Sequence, residues 1–318
     1  MEQSIINFNK QFAYEPVIRN SEKLKDNYEH FVLCGMGGSH LAAGIIKTHK
    51  PGIELYVHRD YDLPPYSDDF LSKSLLIASS HSGNTEEVLS FVKSALDKKL
   101  DVVIVTTGGE LFELAVSAQL PHVVIPNEGV QPRLALGYSA LAIAEIMKDK
   151  ELISDLKNVS VKINPESLRS EGLSLANSIG NKIPVIYSSN KNLAVAYNWK
   201  IKLNETAKTP AFYNIFPELN HNEMQGYQDE GYNQNFHFIF LNDSSDNERI
   251  QERMNVLSVL LKEKGYEVTN LELSGDNVLE KVFTSLLTAD WTAFEMAKIK
   301  GTDPQSVPFI ESFKNKLN

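Results

Sequence analysis

Short apolar runs alternate with amphipathic stretches along most of the chain, which predicts alternating strands and helices. The predicted strands are His30–Cys34, Ile53–His58, Leu75–Ser79, Val102–Thr106, Val123–Ile125, Pro184–Tyr187, His237–Leu241 and Tyr266–Leu273. The predicted helices are Ser39–Lys47, Asn84–Lys98, Glu110–Ala118, Arg133–Lys148, Lys191–Ala207, Glu248–Lys264 and Val278–Lys300. Because such strands are continuously apolar, we expect an α/β fold whose sheets are mainly parallel and flanked by helices.

The alternation is interrupted once, which predicts two domains. The polar segment Lys150–Glu166 is the candidate linker, and a length of 318 residues suits two domains of about 150 residues each. The stretch 184–202 (PVIYSSNKNLAVAYNWKIK) loosely echoes 31–47 (FVLCGMGGSHLAAGIIK), from strand through a serine-containing turn to a helix. We therefore expect an N-terminal domain of residues 1–152 and a C-terminal domain of residues 153–318, built as two similar halves.

Composition and charge narrow the classes of partner. The net charge is −10 and no dense Lys/Arg cluster occurs, so neither nucleic acid nor an anionic membrane is an expected partner. The single cysteine, Cys34, cannot form an internal disulfide, which fits a reducing cytoplasm. The N-terminal segment lacks a signal-peptide pattern, and no apolar run reaches about 18 residues, so no membrane span is expected.

Two loops that follow predicted strands are candidates for binding a phosphate. Gly35-Met36-Gly37-Gly38-Ser39 and Ser80-His81-Ser82-Gly83-Asn84-Thr85 each open a predicted helix. Glycines let backbone N–H groups approach an anion, hydroxyls donate further hydrogen bonds, and a helix N-terminus favours negative charge. The first loop is neither GxGxxG nor a Walker motif, which disfavours a nucleotide. The structural alternative is two ordinary helix caps.

A carboxylate and an imidazole farther along the chain are suited to proton transfer. Asn204-Glu205 closes a predicted helix, and His221 follows in Pro217-Glu218-Leu219-Asn220-His221-Asn222-Glu223. The alternative for Glu205 is a solvated carboxylate at a helix end. A phosphate site and an acid/base pair, without an obvious nucleophile, point to isomerisation of a sugar phosphate.

Metal-dependent and serine-hydrolase chemistry are not expected. The eight histidines are scattered and form no HxH, HxxxH or HExxH pattern, and no GxSxG motif occurs. We therefore expect no metal and no cofactor.

These motifs resemble a known family. SHSGNTEE (80–87) together with GMGGSHLAAG (35–44) looks like the sugar isomerase (SIS) domain. Asn204-Glu205 followed by PELNHNE resembles more specifically the bifunctional phosphoglucose/phosphomannose isomerases. The similarity runs from about Phe31 to the KGTDP segment at 300–304, which implies two SIS-type domains.

The resemblance implies a role for individual residues. Glu205 matches the base that moves a proton between carbons 1 and 2, and His221 matches the ring-opening histidine, which reaches the site from the partner subunit. Arg133 matches the arginine that steadies the enediolate, and Lys298 resembles a late helical lysine near the sugar ring. The residues that line the site or bind phosphate are then Gly37, Gly38, Ser39, Ser80, Ser82 and Thr85.

Two positions depart from the family pattern. His81 stands where tyrosine is usual, and His40 stands where glycine is usual. Because both adjoin the substrate loops, they bear on the sugar preference rather than on the fold or the chemistry.

The resulting hypothesis is a cytoplasmic, homodimeric, metal-independent aldose–ketose isomerase. Its phosphorylated hexose substrates are glucose 6-phosphate and mannose 6-phosphate, which it interconverts with fructose 6-phosphate through a cis-enediolate. The alternatives are another SIS-type sugar-phosphate isomerase and a sugar-phosphate-binding regulator. A regulator would need a further partner-binding module, for which two α/β halves in 318 residues leave no room.

Overall fold

The computed structural model describes residues 1–317 and divides the chain into two compact units. One unit is Asn7–Lys162, and the other combines Met1–Ile6 with the chain from Ile163 onward. We call these the N-terminal unit and the C-terminal unit. The boundary at 152/153 expected from the sequence falls within the helix Lys150–Lys162.

Strands and helices alternate in both units. The strands are β1 (His30–Cys34), β2 (Leu55–His58), β3 (Ser74–Ser80), β4 (Val102–Thr106), β5 (His122–Val124), β6 (Ile183–Ser189), β7 (Phe212–Phe216), β8 (Phe236–Asn242) and β9 (Glu267–Glu272). The helices are α1 (Glu2–Ile6), α2 (Leu41–His49), α3 (Asp68–Ser72), α4 (Glu86–Asp97), α5 (Gly109–Ser117), α6 (Leu136–Ile146), α7 (Lys150–Lys162), α8 (Arg169–Ile179), α9 (Leu193–Glu205), α10 (Glu248–Glu263), α11 (Val278–Lys300) and α12 (Pro308–Leu317).

The N-terminal unit is built on a parallel sheet in the order β2-β1-β3-β4-β5. All seven residues of β3 are buried, which explains why this strand reads as a continuous apolar run rather than an alternating one. On one face, β1, β3 and β4 pack against α3, α4 and α5. The carboxyl ends of β1 and β3 are neighbours, since Cys34 lies opposite Ala78 in the register, so the loops that follow these strands lie close together.

The C-terminal unit is built on a second parallel sheet, in the order β7-β6-β8-β9. An aromatic core that includes Tyr187, Phe216, Phe238 and Phe240 packs against α10 on one face. Elsewhere in the unit, α11 packs against α8 and α9. The prediction of an α/β fold with parallel sheets flanked by helices is therefore confirmed.

Several elements differ from the sequence-based predictions. The expected linker Lys150–Glu166 is wrong, because most of it is α7, whose Leu152, Leu156 and Val159 are buried at helical spacing. The helices predicted from Ser39 and Arg133 begin as short 3₁₀ turns, Gly37–His40 and Pro132–Leu134, and become α-helical afterwards. Further elements that the pattern did not predict are α1, α3, α8, β7 and α12.

None of the helices within residues 1–317 has the length and apolar character needed to cross a bilayer.

Candidate active site

The loop of residues 35–39 that follows β1, here called the glycine loop, touches the segment that carries Arg133. A Cβ atom added to Gly38 would lie 2.6 Å from the Pro132 carbonyl carbon and 2.7 Å from the Arg133 nitrogen. Such distances are far below van der Waals contact, so this approach requires glycine. Two candidates that are far apart in the sequence, Gly38 and Arg133, are thus brought together.

Arg133 is buried and its backbone is held in place. Its side chain is 1% exposed and donates to Gln131 Oε1 at 3.5 Å. The buried Gln11 amide donates to the Leu134 carbonyl at 2.8 Å and accepts from the Gly137 N–H at 3.0 Å. A guanidinium is always charged, so this arrangement places a permanent positive charge inside the N-terminal unit. Gln11 was not singled out from the sequence, because nothing in its local pattern marks it.

The loop of residues 80–85 that follows β3, here called the serine loop, is joined to the glycine loop through Ser39. The Ser39 hydroxyl accepts from the His81 N–H at 3.0 Å, and the Ser39 carbonyl accepts from the Ser79 hydroxyl at 2.9 Å. Ser80 and Thr85 share a hydroxyl–hydroxyl hydrogen bond of 2.7 Å. Thr85 is the N-cap residue of α4, but its side chain makes this bond instead of capping the helix. The start of α4 therefore keeps N–H donors that an anion can use.

Ser82 is exposed on the outer part of this loop. Its hydroxyl accepts from the Asn84 N–H at 3.3 Å. Gly37 is also exposed, with a φ of +51° and nothing within 4 Å of an added Cβ. Both residues are therefore accessible to a ligand.

A glycine pair after β4 supports the serine loop. A Cβ on Gly83 would lie 1.8 Å from the Gly108 carbonyl oxygen, and one on Gly109 would lie 2.4 Å from the Ser82 carbonyl oxygen. The Asn84 side chain accepts from the Glu110 N–H at 3.0 Å. The sequence contains a signal for this support, since Thr107-Gly108-Gly109 directly follows an apolar strand.

Burial keeps the two histidines that depart from the family pattern in their neutral form. Burial and the nearby charge of Arg59 lower the pKa of His40 to about 4, against an opposing hydrogen bond with the Gly37 backbone. Burial also lowers the pKa of His81, opposed by a hydrogen bond with the Val130 backbone. At neutral pH, neither imidazole contributes positive charge to the loops.

In the C-terminal unit, Glu205 is the last residue of α9 and is half-buried. One turn before it, the fully buried Lys202 ammonium binds both oxygens of Asp290 on α11, at 2.7 and 2.8 Å. Next to Glu205, the Asn204 side chain donates to the Thr209 carbonyl at 2.9 Å. The end of α9 is thus fixed from both sides of Glu205.

His221 lies in a 3₁₀ turn, Glu218–His221, that follows β7, and its side chain is exposed. The segment is anchored two residues later by the carboxylate of Glu223. This carboxylate accepts from the Tyr187 hydroxyl at 2.6 Å, from the Asn214 side chain, and from the Tyr227 hydroxyl at 3.4 Å. The exposed imidazole therefore projects from a segment whose base is hydrogen-bonded to β6 and β7.

Two lysines near the end of α11 have different surroundings. Lys298 is 49% exposed, forms an ion pair with Glu295 at 3.2 Å, and lies 5.6 Å from the centroid of the Phe294 ring. Lys300 instead donates to Thr209 Oγ1 and to the Ala207 carbonyl, within the turn that follows Glu205. The sequence-based prediction named Lys298 and did not consider Lys300.

Within residues 1–317, no group of three or more His, Cys, Asp or Glu side chains is arranged to hold a metal ion. The N-terminal unit gathers the predicted phosphate-site residues and Arg133 at the carboxyl edge of its sheet. In the C-terminal unit, Glu205, His221 and Lys298 lie on α9, on the turn after β7 and on α11.

Comparisons with known proteins show what the chain is similar to. Residues 169–317 match the family model described as the bacterial phospho-glucose isomerase C-terminal SIS domain. A hypothetical protein from Thermus thermophilus, known from its crystal structure, has the same fold with a TM-score of 0.76 at 18% identity, covering 99% of this chain and 89% of that one.

Two curated relatives match over almost their whole length. A bifunctional phosphoglucose/phosphomannose isomerase of Caldicellulosiruptor bescii is 33% identical over 338 residues, covering 100% of this chain and 98% of that protein. One of Aquifex aeolicus is 31% identical over 319 residues, covering 98% of this chain and 96% of that protein. The chain belongs to the family of bifunctional phosphoglucose/phosphomannose isomerases.

Proposed function

We propose that this protein interconverts glucose 6-phosphate, and also mannose 6-phosphate, with fructose 6-phosphate through a cis-enediolate and without a metal ion. The observation that carries the proposal is the close approach of Gly38 to the Arg133 segment, beside the serine loop of the same unit. This arrangement puts hydroxyl and N–H donors and one buried permanent cation at a single sheet edge.

The phosphate is assigned to the serine loop. Ser82 and Thr85 offer hydroxyl groups at the start of α4, where the helix dipole favours an anion. The Ser80 hydroxyl is fully buried and takes part through its hydrogen bond with Thr85. The first turn of α4 also carries two acidic residues, Glu86 and Glu87. Of these, the Glu86 carboxylate is held by the Tyr61 hydroxyl, which donates to it at 3.1 Å. Gly37, Gly38 and Ser39 line the adjacent part of the site.

The proton transfers are assigned to Glu205 and His221. Opening of the sugar ring needs an acid/base group, which His221 supplies. Glu205 then takes the proton from one of two adjacent carbons and returns it to the other. The negative charge that develops on the enediolate oxygens is stabilised by the Arg133 guanidinium. Lys298 is assigned to the position near the sugar ring that the resemblance implies. Measuring the turnover of Lys298→Met tests this assignment.

An assay of the purified protein tests the reaction. Each aldose 6-phosphate is supplied separately in the presence of a chelator, and the appearance of fructose 6-phosphate is measured by NMR. We expect conversion of both substrates. Activity that disappears in chelator and returns with added zinc contradicts the metal-independent mechanism, and the absence of any ketose product contradicts the isomerase.

Substitution of the base tests the mechanism. Glu205→Gln keeps the shape of the side chain but removes its basicity, so we expect turnover to fall about 10²–10⁴-fold with little change in KM. The matched control is Glu263→Gln, which changes the last residue of another helix of the same unit, α10. Equal turnover in the two variants contradicts the assignment of Glu205. If the wild-type protein binds sugar phosphates without converting them, the result supports the alternative function, a sugar-phosphate-binding regulator.

We propose further that the active species is a cytoplasmic homodimer in which His221 acts in the partner's site. The exposed position of His221 on an anchored segment supports this arrangement. Glu205→Gln and His221→Ala dimers should each be nearly inactive. A mixed dimer would have one site with both defects and one with neither, so it should have about half of the wild-type activity, and an equal mixture of the two variants should recover towards about a quarter after complete subunit exchange. Proven exchange without recovery contradicts the shared site.

A further inference from the structure

The turn that follows Glu205 is closely built. The Thr206 N–H donates to the Lys202 carbonyl at 2.9 Å, and the Thr209 N–H donates to the Leu203 carbonyl at 3.2 Å. Within the turn, Lys208 adopts a positive φ of +51°, which bends the chain sharply away from the helix axis. We call residues 206–209 the post-helix turn. Its conformation sets the direction in which α9 ends, and Glu205 is the last residue of α9.

Two ammonium groups bind carbonyl oxygens at this helix end. Lys208 donates to the carbonyl of Glu205 itself. Lys300, from the end of α11, donates to the Ala207 carbonyl at 3.4 Å and to Thr209 Oγ1. Thr209 Oγ1 in turn donates to the Ala207 carbonyl at 3.0 Å. Lysines at a helix C-terminus satisfy the last carbonyls and complement the negative end of the helix dipole.

Lys300 is itself held in place and partly withdrawn from water. The helix α11 ends at Lys300 and is capped by Gly301, whose φ is +66° and whose N–H donates to the Lys298 carbonyl at 3.0 Å. The Thr302 N–H donates to the Ala297 carbonyl at 2.9 Å. Burial lowers the pKa of the Lys300 ammonium, and the residues it binds, Ala207 and Thr209, are buried.

We propose that Lys300 is a positioning residue for Glu205. By holding the post-helix turn through Ala207 and Thr209, its ammonium fixes the direction in which the Glu205 carboxylate leaves α9. This inference rests on the proposed function, because it assumes that Glu205 is the base. A misplacement of a reacting group by about 1 Å is enough to cost about 10²-fold in rate, so an effect on kcat is expected even without contact between Lys300 and the sugar.

The test compares kcat and KM for glucose 6-phosphate in matched variants. Lys300→Met should lower kcat about 10–100-fold and change KM less than about threefold, because the base is misplaced while the serine loop that binds the phosphate is unchanged. Lys300→Arg retains the cation and should recover much of the loss. Thr209→Val should reduce kcat by a smaller factor. The control Lys262→Met removes an exposed lysine of α10 and should leave both constants within about twofold of wild type.

A double-mutant cycle separates positioning from general loss of stability. If Lys300 acts through Thr209, the double variant Lys300→Met/Thr209→Val should be hardly slower than Lys300→Met alone. Wild-type kcat in Lys300→Met, or a raised KM with unchanged kcat, overturns the proposal. Should Lys300→Met fail to fold, Lys300→Arg and Thr209→Val decide, and wild-type kcat in Thr209→Val overturns it. Full activity in Glu205→Gln would refute the proposed function, whereas an inactive Glu205→Gln beside a fully active Lys300→Met refutes only this inference.

Discussion

The contact between Gly38 and the Arg133 segment makes Gly38→Ala the most informative single substitution. One added methyl group would lie 2.6 Å from the Pro132 carbonyl carbon, 2.7 Å from the Arg133 nitrogen and 2.8 Å from Pro132 Cβ. Two of these three atoms belong to the backbone, so a change of rotamer cannot remove the clash. The glycine loop and the Pro132–Leu134 turn must therefore move apart.

The size of the movement follows from the same distances. Normal contact with a carbon atom begins near 3.4 Å, so the two segments must separate by roughly 0.8 Å, which is enough to cost about 10²-fold in rate if Arg133 is aligned with the reacting oxygens. Overpacking a buried site also costs about 1–3 kcal/mol of stability. We expect Gly38→Ala to fold, to lose about 1–3 kcal/mol and to lose about 100-fold in kcat.

Turnover of glucose 6-phosphate and urea denaturation measure the two effects. The control is Gly52→Ala, at an exposed glycine with nothing within 4 Å of an added Cβ, which should change neither quantity appreciably. Gly38→Ala with normal kcat and normal stability would refute the argument, because it would mean that the two segments separate without consequence. Lost stability with normal kcat would show that Arg133 does not need this alignment.

Three further predictions concern charged and titrating groups. Asp243 is buried and binds the partly exposed Lys191 at 3.2 Å and Lys281 at 2.7 Å, so Asp243→Asn should cost about 1.5–3 kcal/mol in urea denaturation, and an unchanged midpoint contradicts this. The pKa of His40 is lowered to about 4, so the unfolded chain takes up this proton near its ordinary value of about 6.5 while the native protein does not. The free energy of unfolding should therefore decrease as the pH is lowered from about 6.5 to 4, by about 3 kcal/mol for this group. The decrease should be shallower in His40→Asn, and an equal pH dependence of the two proteins contradicts the assignment. Glu223→Gln should speed amide hydrogen exchange across 218–227, since each hydrogen bond to a charged group is worth about 1.5–3 kcal/mol, and unchanged protection contradicts the anchor.

The buried strands were predictable because their apolar character is local. The bounds of β1 and β4 agree with the predicted ones, and β3 is longer by one residue at each end. Burial on both faces makes such runs visible without knowledge of their neighbours. The two loops that end β1 and β3 were also visible, because serine and glycine at a strand-to-helix junction form a strong local signal.

The missed elements are those whose formation depends on contacts far along the chain. The edge strand β7 is only partly buried, with Phe212 56% exposed, and it precedes a polar segment. The helix α8 carries Gly172, where an added Cβ would lie 2.4 Å from the Trp291 side chain. Glycine normally disfavours a helix, and the packing of Gly172 against α11 offsets this cost in α8. The contacts of Gly38 with Pro132 and of Lys300 with Thr209 are equally long-range, and no motif encodes them.

The first four strands of the N-terminal sheet have the same order as the four strands of the C-terminal sheet, but the charges at the carboxyl ends of the strands differ. This difference bears on where a phosphate can bind. In each unit the first strand lies between the second and the third, so the loops after the first and third strands meet. In the N-terminal unit these loops present serine hydroxyls and glycines. In the C-terminal unit the loop after β8 places the Asp243 carboxylate at the corresponding position.

Asp243 already uses the donors that an anion would need. Its oxygens accept from Lys191, Asn192, Ser245 and Lys281, at distances between 2.6 and 3.2 Å. Burial alone would raise the pKa of Asp243, but the hydrogen bonds from Lys281 and Ser245 lower it well below its ordinary range, so the carboxylate is charged at neutral pH. A phosphate approaching this edge would meet a fixed negative charge and donors that are already satisfied. The neutral loops of the N-terminal unit offer an anion the more favourable site, which argues for one phosphate per chain, bound by the serine loop at the start of α4.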